Sequence, residues 1–434
     1  MSAEQAGYVA ERRRSVRKEA AGLGRRLAPL EVVICCGSGG VGKTTVSAAL
    51  GMAIAAAEDK RVLVLTVDPA RRLATALGIK GIGAEPVRIP KARLRRAGIT
   101  IAGDLEAAML DMKQAWDRMI ERYSPDRLTA QRILRNPLYQ RITDSFVGSH
   151  EYAAMEALYE LHDAGEYDCI VVDTPPSRNA LDFLEAPSRL TDYVGSRLLS
   201  LLSGGPSRFG FRAMNFAAAP FLRLADRLLG AEVLAEVSDF VQQLQLLYDG
   251  IQGRARSVSR LLRSSRTGFV VVTTLEQGPF DEAEFFCTKL REFKMPLRAV
   301  VVNRVLPDVF RDAGGVAAAT TLVEDPKVAA WLAGELHLRV SADAARFIGK
   351  TFLSRNTLAQ REARQLAKLG RLGEVPIVRM PLFSEEVSEL EGLVRIAKTL
   401  CPAPGAARRG TGFSPGPRAG ACARCAARAS ARRR

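Results

Sequence analysis

The chain has 434 residues, 47% of them apolar and 25% charged, which is close to a globular average and excludes global disorder. The formal net charge is +16, but residues 1–30 carry +4, residues 401–434 carry +8, and residues 31–400 only the remaining +4. The charge therefore reads as two basic, solvated ends on a nearly balanced body, which argues against nucleic acid as the partner.

Residues 1–30 read as a basic N-terminal extension with no secretory signal. Val32–Cys36 (VVICC) is an apolar run of strand length, followed by a glycine-rich turn and a helical pattern over 44–57. A second strand, 62–67, ends at Asp68-Pro69. The stretch from Glu106 to Tyr123 has a helical pattern, inside an expected helical insertion at 104–165. A third strand, 169–172, ends at Asp173-Thr174, and a second helical insertion is expected at 178–265. Further strands are expected at 268–273, 298–302 and 376–379. Short apolar strands separated by helices imply an α/β fold with a mostly parallel sheet flanked by helices, the insertions forming a subdomain. The domain body is thus 31–400. Residues 401–434 are almost all Ala, Arg, Gly, Pro and Ser, and disorder is expected there. No stretch has the ~18 unbroken apolar residues of a membrane span. A cytoplasmic protein is expected, docking at most peripherally on the inner face of the membrane.

The chemistry begins at Gly37. Gly37-Ser38-Gly39-Gly40-Val41-Gly42-Lys43-Thr44-Thr45 fits the phosphate-binding pattern, set between a strand and a helix as the mechanism requires. Glycines let backbone N–H groups turn inward around an anion, and the helix N-terminus adds partial positive charge. Lys43 supplies a full charge at the β- and γ-phosphates of ATP, and Thr44 a hydroxyl for Mg²⁺.

Asp68 and Asp173 both close apolar strands, where ligands bind in such sheets. Asp173 fits the group that holds magnesium or its water, and Asp68 fits a group orienting the attacking water. Each residue is also a common turn or cap former. The seven cysteines are too sparse for a disulfide framework. Cys35, Cys36 and Cys169 read as small buried hydrophobes. The Cys422/Cys425 pair has metal-ligand spacing but stands alone. The three histidines are scattered, with no metal spacing.

Gly-Gly-Val-Gly-Lys-Thr-Thr, Asp68-Pro69-Ala70 and Asp173-Thr174-Pro175-Pro176, in that order, resemble the deviant phosphate-loop ATPases. Within them the chain is similar to the arsenical pump-driving and tail-anchored-protein targeting ATPases, and to the actinobacterial branch of anion-transporting-ATPase-like proteins. The resemblance implies a nucleotide-sandwich dimer, with Asp68 activating water. It implies that Asn303 reads adenine and that Pro381-Leu382-Phe383 covers the base. It also implies a membrane transport component or a hydrophobic membrane-protein client as partner. A groove for such a client would involve Phe209, Phe211, Met214, Phe216, Phe221 and Leu222, which read first as the core of a helical subdomain.

One departure is sharp. The family's loop begins Lys-Gly-Gly-x-Gly-Lys-Thr, and its first lysine reaches the partner's phosphates. Here Ser38 stands at that position, and a hydroxyl carries no charge. Arg71, Arg72 or Arg178 could substitute, a paralogous partner could supply the lysine in a heterodimer, or hydrolysis could be slow. Residues 304–330 contain no Cys, so a zinc clamp after Asn303 is not expected. The functional reading is a magnesium-dependent ATPase whose dimer rearrangement drives a partner. The alternatives are a weakly hydrolysing, nucleotide-gated positioning module and a partition-type ATPase.

Overall fold

The computed structural model describes residues 22–67, 72–79, 81–137, 139–140, 149–174, 247–325, 327–328, 330–331, 342–370, 375–383, 387 and 389–401. Among them, in chain order, are α1 (Leu23–Leu27), β1 (Val32–Cys36), α2 (Lys43–Ala57), β2 (Arg61–Thr66) and α3 (Arg72–Leu77). There follow β3 (Val87–Arg88), α4 (Lys91–Arg96), β4 (Asp104–Met109), α5 (Met112–Tyr123), α6 (Arg127–Arg135) and α7 (Ser149–Asp163). The rest are β5 (Cys169–Asp173), α8 (Tyr248–Arg263), β6 (Thr267–Thr273), α9 (Gln277–Glu292), β7 (Leu297–Val305), α10 (Ala313–Glu324), α11 (Ala342–Leu369), β8 (Ile377–Pro381) and α12 (Leu390–Leu400).

The strands form one sheet in the order β3-β4-β2-β5-β1-β6-β7-β8. Every pairing is parallel except β3 with β4 at one edge. The central strands are buried on both faces, so they read as continuous apolar runs without alternation. Alternate residues feed two cores. Val33, Cys35, Val62 and Val64 pack with α1, α2, α4 and α12 on one face. Val32, Ile34, Leu63 and Leu65 pack with α7, α8 and α9 on the other.

Two expectations change. Asp104–Met109 (DLEAAM) is a strand, not the start of a helix. Its Leu, Glu, Ala and Met favour helix locally, but β2 offers an open parallel edge. Pairing there places Leu105 and Ala107 in one core and Ala108 in the other. The N-terminal boundary also moves, because Leu23 and Leu27, each 1% exposed, are core residues within the expected extension. Most of the second insertion, 175–246, and the tail from 402 onward lie outside the described residues, as do the aromatic residues proposed for a client groove.

Candidate functional site

The site forms where β1 feeds α2, at the carboxyl ends of the central strands. β1 lies between β5 and β6, which extend the sheet to either side of it, so the strand order opens a crevice there. Two glycines are required by geometry. Gly37 has φ +150, and a Cβ on it would stand 2.0 Å from the Val272 carbonyl oxygen. Gly42 has φ +91 at the N-cap of α2, and a Cβ there would meet the Asn303 amide nitrogen at 2.5 Å. The loop is thus pressed against the ends of both β6 and β7.

Lys43 is buried, 6% exposed, and its ammonium donates to the carbonyl oxygens of Gly37 and Ser38, each at 2.9 Å. The cation lies over its own loop, with its charge partly met by backbone dipoles. An anionic phosphate cradled by the loop would be the stronger acceptor.

Asp173 closes β5 and is fully buried. The Ser47 hydroxyl donates to its Oδ1 at 3.3 Å and the Thr66 hydroxyl to its Oδ2 at 3.0 Å, and Thr44 lies close enough to favour the carboxylate. Burial pushes its pKa up to about 6, against the pull of these hydroxyls and of the Lys43 charge. Thr174 anchors the strand end, its hydroxyl donating to the Cys35 carbonyl at 2.9 Å. Asp173, Thr44 and Lys43 are therefore brought together. Ser47 and Thr66 were missed in the sequence. Their only signal is position: Ser47 one helical turn after Lys43, and Thr66 at the polar end of an apolar strand.

Asn303 reaches the loop from β7. Its amide donates to the Val41 carbonyl at 2.9 Å and accepts from the Arg304 N–H at 2.9 Å. The β7–β8 register shifts between Val302 and Val305, and Arg304 has φ +57. This irregularity lies at Asn303 and Arg304, where β7 meets the loop. Pro381 pairs opposite Val305, and the Leu382 N–H donates to the Val305 carbonyl at 2.9 Å. Phe383 packs on the core beside the Arg395 guanidinium, 5.9 Å from its ring centre. Asn303 and the 381–383 segment thus share the β7–β8 edge.

A model of the anion-transporting ATPase family matches residues 30–323. The chain belongs to that family. Similar proteins include ATPase get3 of Schizosaccharomyces japonicus, 27% identical over 283 residues that cover 64% of this chain and 76% of that protein. ATPase ASNA1 homolog of Entamoeba dispar is 27% identical over 287 residues, 64% and 77% of the two chains. A protein assigned as arsenical pump-driving ATPase 1 in Aquifex aeolicus is 23% identical over 292 residues, 64% of each chain. Membership makes this chain a nucleotide-binding ATP hydrolase.

Other expected features of this anion-transporting ATPase family member sort as follows. Asp68, Arg71, Arg178 and the Cys422/Cys425 pair lie outside the described residues; Arg72 opens α3. Cys35 and Cys169 are buried thiols pushed up to about 12 by burial, far from nucleophilic. Among the described residues, no cluster of His, Cys, Asp and Glu could hold a metal ion by itself, and no helix is long and apolar enough to cross a membrane.

Proposed function

We propose that this chain is a magnesium-dependent ATPase that works as a dimer. Its nucleotide-driven rearrangement powers or gates a partner at the inner face of the membrane, either a transport component or a hydrophobic membrane-protein client. The observation that carries the reading is the buried Asp173 carboxylate at the end of β5, held by the Ser47 and Thr66 hydroxyls, with Thr44 and the phosphate-loop Lys43 close enough to lower its pKa. Hydroxyl and carboxylate oxygens side by side are the hard donors that suit Mg²⁺. Thr44 and Asp173 would hold the ion, directly or through its water, and its charge would help to neutralise the phosphates. Lys43 would exchange two loop carbonyls for the phosphates. Ser47 and Thr66 hold the Asp173 carboxylate in place. Asp68 is assigned to orienting the attacking water.

Ser38 favours a second reading, a weakly hydrolysing module whose nucleotide state controls association. Titration calorimetry and turnover test the first. Lys43→Ala removes a charge-assisted phosphate contact of ~2–4 kcal/mol and should abolish turnover. Asp68→Asn should keep affinity and lower turnover by ~10²-fold, the scale of a lost general base. Unchanged ATP binding in Lys43→Ala would remove the phosphate-loop reading.

A further inference from the structure

The end of the molecule remote from the phosphate loop carries an unassigned basic surface. α2 starts at the loop and runs 15 residues, roughly 22 Å, toward the amino ends of the strands. At its far end the Ala55 carbonyl accepts from the N–H groups of Ala102 and Gly103, and a Cβ placed on Gly24 would lie 3.1 Å from that of Ala53. The same position on Gly24 is 3.0 Å from the Cys401 Cβ, and a Cβ on Gly98 would lie 3.3 Å from the Lys398 ammonium. α1, the end of α4 and the end of α12 therefore meet there, rooted in one core by Leu27, Leu94 and Leu400.

Their outer faces are basic. Arg25, Arg26, Arg95 and Lys398 are all exposed. The five acids nearby are outnumbered by six other cations, without counting those four. Asp104 is gripped by Arg88 at 2.5 Å and Lys91 at 3.2 Å, Glu58 and Asp59 precede Lys60 and Arg61, and Arg93 and Arg96 share a pocket with Glu389 and Glu391. The four named cations stand as a local excess. The described body enters this end at Gly22 and leaves it at Cys401. Residues 1–21, with five Lys/Arg and three Glu, and residues 402–434, with eight Arg and no acid, are covalently tethered to it.

We propose that this surface docks on an acidic phospholipid bilayer, with the nucleotide site facing away from it. The three helices contain no aromatic residue to stack on a base. They share one core on the same face of the sheet, and among the described residues none of the three projects as a lone helix of the kind that enters a groove. A laterally mobile array of lipid phosphates needs neither, and each cation near such a surface strengthens partitioning roughly five-fold.

The test uses the full chain with vesicles of phosphatidylcholine alone or containing about one-third phosphatidylglycerol. Sedimentation should show binding to the acidic vesicles only, weakening as salt is raised. Arg25→Glu, Arg26→Glu, Arg95→Glu and Lys398→Glu together should lower partitioning by at least about ten-fold, with vesicle-free ATP turnover unchanged. If circular dichroism shows that this variant fails to fold, Arg95→Gln with Lys398→Gln should still lower partitioning several-fold. Binding to acidic vesicles no better than to neutral ones overturns the proposal, as does undiminished binding by the folded variant. Displacement of the vesicles by a short duplex DNA at equal phosphate overturns it in favour of nucleic acid.

Discussion

The side-chain amide of Asn303 donates to the backbone carbonyl of Val41 at 2.9 Å, which ties the end of β7 to the phosphate loop. The family resemblance assigns this asparagine to adenine, but the hydrogen bond gives it a second task. Its oxygen is taken by the Arg304 N–H, so one amide hydrogen remains for a base.

Asn303→Ala should therefore loosen the loop as well as remove base contact. A lost hydrogen bond is worth about 1 kcal/mol, and leaving the Val41 carbonyl without this partner adds to that. ATP and GTP affinities should both fall about five-fold or more, read by titration calorimetry. A loss confined to ATP would make Asn303 a base reader alone.

How much of this was legible in sequence depends on where each signal resides. The phosphate loop was legible because its chemistry needs fixed residue types at fixed spacing. The central strands were legible because burial on both faces forces unbroken apolar runs. β4 was not, because its helix-favouring Leu, Glu, Ala and Met become strand only against β2. α1 was obscured by the basic residues around Leu23 and Leu27. The link from Asn303 to Val41 spans 262 positions and depends on a register shift that no local pattern encodes.

Asp173 gives a pH dependence with a definite sign. Burial raises its folded-state pKa from 3.8 to about 6. Its stabilising contribution in the neutral form is full below the unfolded value and is lost as pH rises through about 6. In metal-free buffer, the wild type should gain roughly 1 kcal/mol relative to Asp173→Asn between pH 7 and pH 5. Urea unfolding at both values measures this. Saturating Mg-ATP, which favours the carboxylate, should cancel the gain. A difference that does not change with pH would show that Asp173 titrates in its ordinary range.

The helical layer over β5 holds a buried ion pair. Arg254 Nε on α8 donates to Glu156 Oε1 on α7 at 2.9 Å, with side chains 13% and 5% exposed. The Tyr123 hydroxyl donates to the same oxygen at 3.1 Å, and the Arg254 guanidinium stacks 3.9 Å from the Tyr159 ring centre. Burial holds the Glu156 carboxyl above its usual range despite Arg254. Glu156→Gln leaves the arginine charge uncompensated and should cost about 3 kcal/mol of stability. Glu156→Met with Arg254→Met should recover most of that, because removing both charges removes both desolvation penalties. ATP affinity should be unchanged in both. A Gln variant as stable as wild type would make the pair energetically neutral.

Ser38 decides how the catalytic charge is completed. It is 8% exposed, its carbonyl accepts from Lys43, and its hydroxyl is buried without a hydrogen-bond partner among the described residues. A triphosphate carries up to four negative charges, and Lys43 with Mg²⁺ leaves it partly uncompensated. A cation supplied in trans can be worth ~10³–10⁵ in rate. A serine cannot supply it, and of the three ways to complete the charge, a paralogous partner, the switch arginines or a slow enzyme without it, we propose a heterodimer with a paralogous ATPase that keeps the first loop lysine. Alone, this chain should hydrolyse ATP slowly. Adding the paralogue should raise turnover, and changing the paralogue's first loop lysine to alanine should remove the gain. Ser38→Lys should partly restore activity to a homodimer, provided the longer side chain can leave the buried position. Fast turnover by the isolated chain, independent of its concentration, would sink the heterodimer. The charge would then belong to Arg71, Arg72 or Arg178, and single alanine substitutions would tell them apart by which one slows hydrolysis without weakening ATP binding.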